Sequence, residues 1–223
     1  GASLSGYADL YASSQHNTTT IDAISSSGIL QVASGSYIDK SYDTQSGVTA
    51  LTFVGNISLG SLEMTVKQIF SATVKMSDTF FPIPWTYNVN IGNGTTTTSV
   101  SSKYDYKIMP SGKIIVNKNA TLTTTGNVGV YYNFVDKKED KVNGMIYPVS
   151  KGTEGYLIIN GGKFVATVFG GKLTGTGNGG SATVSKTLSV KVYEHSYNDR
   201  YYNTLTAQLA DGTAMTKGTT YTL

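Results

Sequence analysis

Four Asn-X-Ser/Thr triplets, at Asn17, Asn56, Asn93 and Asn119, are the most explicit chemical signals in the chain. Each presents a side-chain amide that could carry an N-linked glycan, provided it sits at the surface. Asn17 and Asn93 fall in polar segments, and Asn56 and Asn119 at expected strand ends, so all four are candidate modification sites. Catalytic chemistry is much thinner. There are two histidines, His16 and His195, and no cysteine. Glu194-His195 followed by Asp199 is the nearest approach to an acid/base cluster, but neighbours on a strand point to opposite faces. Asp39 and Asp43 flank an expected turn and supply too few oxygens for a calcium site. Zinc-type His/Cys spacing, a Gly-X-Ser-X-Gly elbow and a phosphate-cradling loop are all missing from the sequence. We therefore expect no catalytic residues, no metal, no cofactor and no enzymatic activity.

Phe80-Phe81-Pro82-Ile83-Pro84-Trp85 is the densest apolar segment. Its prolines cannot donate to a central ladder, which makes it an edge or crossover. It reads as a core plug under a loop, with an aromatic platform for sugar or a subunit as the alternative.

The elements that position these residues follow from composition and periodicity. Of the 223 residues only 14% are charged, against about 25% in a typical soluble domain. Ser, Thr, Gly, Asn and Tyr take their place, and Thr and Tyr favour pleated, half-buried surfaces. Alternation is the dominant pattern: Leu62, Met64, Val66, Phe70, Ala72, Val74 and Met76 mark one long strand, and Ala182, Val184, Leu188, Val190 and Val192 another. Val128, Val130, Tyr132 and Phe134 run into the charged stretch 136–141 and then Met145-Ile146-Tyr147, a long hairpin with a solvated tip. Asn93-Gly94, Asn143-Gly144, Asn160-Gly161 and Asp211-Gly212 suit hairpin turns that need positive φ. The net charge of +3 is scattered and gives no stripe for nucleic acid. No apolar run is long enough to span a bilayer.

The expected fold is all-β: an antiparallel β-sandwich over 15–223, divided into two subdomains if residues 90–103 form a joint. The alternative is a β-solenoid, suggested by a weak repeat. Ser27-Gly28-Ile29-Leu30-Gln31-Val32, Ser111-Gly112-Lys113-Ile114-Ile115-Val116 and Glu154-Gly155-Tyr156-Leu157-Ile158-Ile159 share one form, each followed by a turn and a further strand. With only 14 Asp plus Glu, few carboxylates can lose native pairing on acidification, so the fold is expected to tolerate acid.

The first residues carry the sharpest hint of assembly. Ala2, Leu4, Gly6, Ala8, Leu10 and Ala12 alternate with Ser3, Ser5, Tyr7, Asp9 and Tyr11, and a polar, linker-like stretch follows. Such a strand (residues 1–14) can complete a neighbouring subunit's sheet, and this head-to-tail contact builds a filament. The alternating start, the low charge, the absent cysteine and the triplets together resemble the secreted thread-filament subunits of Sulfolobus-type thermoacidophilic archaea. The resemblance implies an extracellular cell-surface filament, a homopolymer of identical subunits joined by donor strands and decorated with N-glycans. A surface adhesin or carbohydrate-binding module is the alternative.

Overall fold

The computed structural model describes residues 30–43, 48–59, 81–83, 87–103, 105–108, 112–140, 142, 145–194 and 203–223. All regular structure among them is strand. The chain begins with β1 (Leu30–Val32) and β2 (Tyr37–Asp43). A unit then recurs: one strand, a short arc, and a second strand in a different sheet. The first copy is β3 (Val48–Val54) and β4 (Asn56–Leu59). After β5 (Phe81–Ile83) comes β6 (Tyr87–Ile91) with β7 (Thr98–Ser102). After β8 (Tyr106–Ile108) comes β9 (Lys113–Asn117) with β10 (Ala120–Val130). A hairpin, β11 (Tyr132–Asp140) and β12 (Met145–Glu154), precedes β13 (Tyr156–Asn160) with β14 (Lys163–Gly170). The fifth copy is β15 (Lys172–Gly175) with β16 (Ser181–Thr187). Next are β17 (Val190–Glu194) and β18 (Asn203–Leu205), and β19 (Gln208–Leu209) and β20 (Thr220–Thr222) close the chain.

First strands of the units line one sheet, in the order β2-β3-β6-β9-β13-β15-β19; second strands line the other, β1-β4-β7-β10-β14-β16-β20. From β3 to β19 and from β4 to β16 every neighbouring pair is parallel. Antiparallel partners appear only at the ends of these two stacks, where β2 pairs β3, β1 pairs β4 and β20 pairs β16. The two-layered all-β expectation therefore holds, but the antiparallel sandwich does not. The chain winds as stacked coils, the arrangement of the β-solenoid alternative. The physical reason lies in the arcs. Each carries the chain from one layer to the other instead of folding it back beside itself, so the two strands of a unit do not pair with each other. A strand that returns to its own layer after a full circuit runs in its predecessor's direction. The first arc is a single residue, Gly55 at φ 98°, where a Cβ would strike Ser36.

The same geometry corrects the reading of the Asn-Gly pairs. Gly94, Gly161 and Gly212 do have positive φ, but Asn93-Gly94 and Asn160-Gly161 lie on inter-sheet arcs and not in hairpins. Residues 90–103 are likewise continuous with the stack: the end of β6, an arc, and β7, which pairs β4 and β10. Asp39 and Asp43 lie within β2, opposite Thr52 and Val48 of β3.

Side chains that point between the layers stack in columns along the coil axis. Leu51, Val89, Ile114, Leu157, Leu173 and Leu209 are matched position for position, as are Phe53, Ile91, Val116 and Ile159. Ile57, Val100, Leu122, Phe164, Ala182 and Tyr221 form the facing column. These residues belong to one core cluster, with Leu51, Ile57, Leu157, Ile159, Phe164 and Leu173 fully buried. Each such side chain contributes about 1.5–3 kcal/mol of burial free energy. Phe164 and Phe169 add an edge-to-face contact at 5.7 Å.

The repeat seen in the sequence is partly this stack. Lys113 to Val116 and Tyr156 to Ile159 are adjacent parallel strands in the register the repeat implies. The third copy, Leu30–Val32, is β1, which lies antiparallel in the other layer. The expected long hairpin is present as β11 and β12, with Asp140 opposite Met145. It joins β17 and β18 in a separate four-stranded sheet.

At the C-terminal end the chain folds over β19: Met215 N–H donates to the Ala207 carbonyl, Leu209 N–H to Thr213, and Met215 is 5% exposed. The Tyr221 hydroxyl accepts from Thr216 N–H at 2.6 Å, and Asp211 Oδ1 from Thr213 N–H at 2.9 Å. Those bonds hold the Asp211 carboxyl below the usual carboxylate value and the Tyr221 hydroxyl below the usual phenol value.

Candidate binding face

The arcs that join β6 to β7, β9 to β10, β13 to β14 and β15 to β16 lie along one corner of the stack. An asparagine ladder ties them together. Asn117 Nδ2 donates to the Gly92 carbonyl at 2.9 Å, and Asn160 Nδ2 to Asn117 Oδ1 at 3.0 Å. Asn160 Oδ1 then accepts from Asn178 Nδ2 at 2.7 Å and Thr176 Oγ1 at 3.1 Å. Four successive arcs are thus linked by amides that each satisfy the next. Sequence reading missed this ladder. Its signal was the asparagine that closes both β9 and β13 at the same place in the repeat.

Beyond the arcs, the outer face of the β4–β20 sheet carries polar residues at alternate positions, as period two requires. One row runs Asn56, Ser99, Thr121, Lys163, Ser181 and Thr222. The next runs Ser58, Ser101, Thr123, Val165, Thr183 and Thr220. Neighbours in this second row bond across coils: Ser58 Oγ to Ser101 Oγ at 3.0 Å and Thr183 Oγ1 to Thr220 Oγ1 at 2.8 Å. The first row does not do so at its centre. Among the described residues the side chains of Thr121, Lys163 and Ser181 have no hydrogen-bond or ionic partner.

Between the arcs and that first row lies a shallow open trough of about 340 Å³. Thr97, Asn119, Gly161 and Gly179 form its arc side, and Thr121, Lys163 and Ser181 its sheet side. The floor is backbone at Gly162 and Gly180. A Cβ at Gly180 would lie 2.6 Å from Ile159 Cγ2, and one at Gly162 would lie 2.7 Å from Val116 Cγ1. Asn119, Gly161 and Gly179 share left-handed backbone, at φ 66°, 82° and 86°. Two of the three are glycine, the residue that adopts this conformation without cost.

Among the candidate sequon residues, Asn93 and Asn119 meet at this corner. Asn93 Oδ1 accepts from Thr96 N–H at 2.8 Å and Thr95 N–H at 3.0 Å, while Asn119 Nδ2 donates to the Gly94 carbonyl at 3.0 Å. Both are exposed, as is Asn56 at the start of β4. Asn17, the strand residues Ala2, Leu4, Gly6, Ala8, Leu10 and Ala12, both histidines, Asp199 and Trp85 lie outside the described residues. Phe81–Ile83 pairs only with β8 among described strands, an edge position that suits Pro82. Among the described residues no three His, Asp or Glu side chains converge on a possible metal site, and no helix is long and apolar enough to cross a membrane.

Comparison with known proteins finds no matching family model, no matching curated protein and no matching solved structure.

Proposed function

We propose that this chain is a structural subunit of an extracellular cell-surface assembly and not an enzyme. The observation that carries the reading is the stack itself: parallel coils tied by continuous aliphatic columns inside and an asparagine ladder at the corner. In such a quasi-one-dimensional fold each coil is stabilised by its neighbours, so it makes a stiff body without disulfides. The subunits join head to tail through the leading strand, Ala2 to Ala12, added to the next subunit's sheet. β20 offers an acceptor edge, since among the described residues nothing pairs its outer side. β19 is covered by the chain's own Thr213–Met215 segment.

The experiment is removal of residues 1–14. Full-length protein is expected to form threads by electron microscopy, and the shortened chain to sediment as a monomer. Threads formed equally well by the shortened chain would overturn donor-strand assembly.

A second reading, a surface module that holds glycan, is favoured by the hydroxyl rows and the unfilled trough. N-linked glycans at Asn56, Asn93 and Asn119 fit either reading, since these side chains are exposed.

A further inference from the structure

We infer that the corner trough is a binding site for a linear anionic polysaccharide. This deepens the second reading above and rests on it; thread assembly is measured separately, so either can fail alone.

The first argument is periodicity. Thr121, Lys163 and Ser181 sit side by side on three consecutive coils. Neighbouring coils are about 4.8 Å apart, close to the length of one unit in an extended β-linked pyranose chain. A polymer lying along the coil axis therefore meets one of these polar side chains at each sugar. Proteins and solutes without that repeat have no such advantage.

The second argument is the state of those groups. In the next row of this face two hydroxyl pairs, Ser58–Ser101 and Thr183–Thr220, bond across coils. At the trough Thr97, Thr121, Lys163 and Ser181 keep their donors and acceptors unengaged among the described residues. Hydroxyl and ammonium groups that need no protein partner broken lose least when a ligand's hydroxyls replace water.

The third is shape. The floor is glycine because the winding leaves no alternative. Space for a side chain at Gly162 and Gly180 is taken by the neighbouring coil, and Gly161 and Gly179 have left-handed backbone. The result is a shallow trough, open to solvent and running across adjacent coils.

The fourth is charge. Lys163 lies in the trough wall, and Lys118 borders it, its Cβ 3.3 Å from where a Cβ on Gly161 would stand. No carboxylate lines the trough. The Lys163 ammonium in a carboxylate-free wall, with Lys118 beside it, selects a glycan that carries carboxylate or sulfate over a neutral one.

The test uses the full chain with three hexasaccharide-scale β-linked probes: mannuronate oligomers (carboxylate), sulfated cello-oligomers (sulfate) and cellohexaose (neutral). Binding is read by titration calorimetry at two salt concentrations. We expect one of the anionic probes to bind at least tenfold more tightly than cellohexaose, and to weaken as salt rises. Mannuronate alone assigns carboxylate; the sulfated cello-oligomer alone assigns sulfate. Lys163→Ser should lower that affinity at least fivefold. Gly179→Asn should do the same by filling the trough, since a Cβ there meets nothing within 4 Å and Asn tolerates the left-handed backbone. Both variants should keep the parent's melting temperature within a few degrees. No anionic binding, equal binding of cellohexaose, or affinity unchanged in both folded variants would each overturn the proposal.

Discussion

Asn160→Ala cuts the corner ladder at its centre, and its cost can be worked from the bonds. The Asn160 amide makes three: to Asn117 Oδ1, from Asn178 Nδ2 and from Thr176 Oγ1. A net hydrogen bond is worth about 0.5–1.5 kcal/mol. Asn178 and Thr176 are exposed and regain water when their partner is lost, so their bonds count at the low end. The bond to half-buried Asn117 counts near the top. The sum is about 2 kcal/mol. In a chain of this size that lowers Tm by roughly 4–8 °C. Urea unfolding should show a lower midpoint with an unchanged slope. Asn117→Ala loses the bonds to Gly92 and from Asn160, about 1.5–2 kcal/mol. Because the two variants share one bond, the double variant should cost about 1 kcal/mol less than their sum. A cost under about 0.5 kcal/mol for Asn160→Ala, or strict additivity with Asn117→Ala, would show that the arcs hold without the ladder.

Two further outcomes follow from the same structure. Leu157→Ala removes a fully buried side chain from the middle of the longest aliphatic column, with neighbours Ile114 and Leu173 fixed by their own coils. The site cannot collapse easily, so the loss should fall in the upper part of the 2–5 kcal/mol range seen for such changes; a chemical-denaturation shift below about 1 kcal/mol would contradict the column. The Asp211 carboxylate is favoured in the folded chain by the Thr213 N–H, so its contribution to the C-terminal cap is present above its unfolded value. It is lost as pH falls through the depressed folded value. The Thr213 amide shift, followed by NMR, should titrate below the ordinary Asp range, and a midpoint at or above that range would refute the contact.

Much of the local structure was legible in the sequence. Ala182 and Val184 alternate with Ser181 and Thr183, and the structure buries the first pair and turns the second outward, but the single strand expected through Val192 breaks after Thr187, and Val190 and Val192 belong to β17 in the separate four-stranded sheet. The Ser111–Val116 and Glu154–Ile159 likeness gave the register of β9 against β13. Left-handed backbone was assigned correctly at Gly94, Gly161 and Gly212, yet the turn type was wrong at the first two. Positive φ is needed both in a hairpin and in an arc between layers, so the residue alone does not distinguish them. The ladder and the trough escaped for a related reason. Asn117 and Asn160 are 43 residues apart, and Thr121, Lys163 and Ser181 lie in three different coils.

What the chain's own residues determined, then, was conformation and face: which segments are strands, which side of each is apolar, and where the backbone must turn left-handed. Those are properties of near neighbours, set by sterics and by period-two burial. Only the tertiary structure decided which strands meet and in which direction. Period two is identical in parallel and antiparallel sheets. Direction depends on whether the chain crosses between layers before it returns, and that choice rests on the summed burial of columns such as Leu51 to Leu209, built from residues far apart in the sequence.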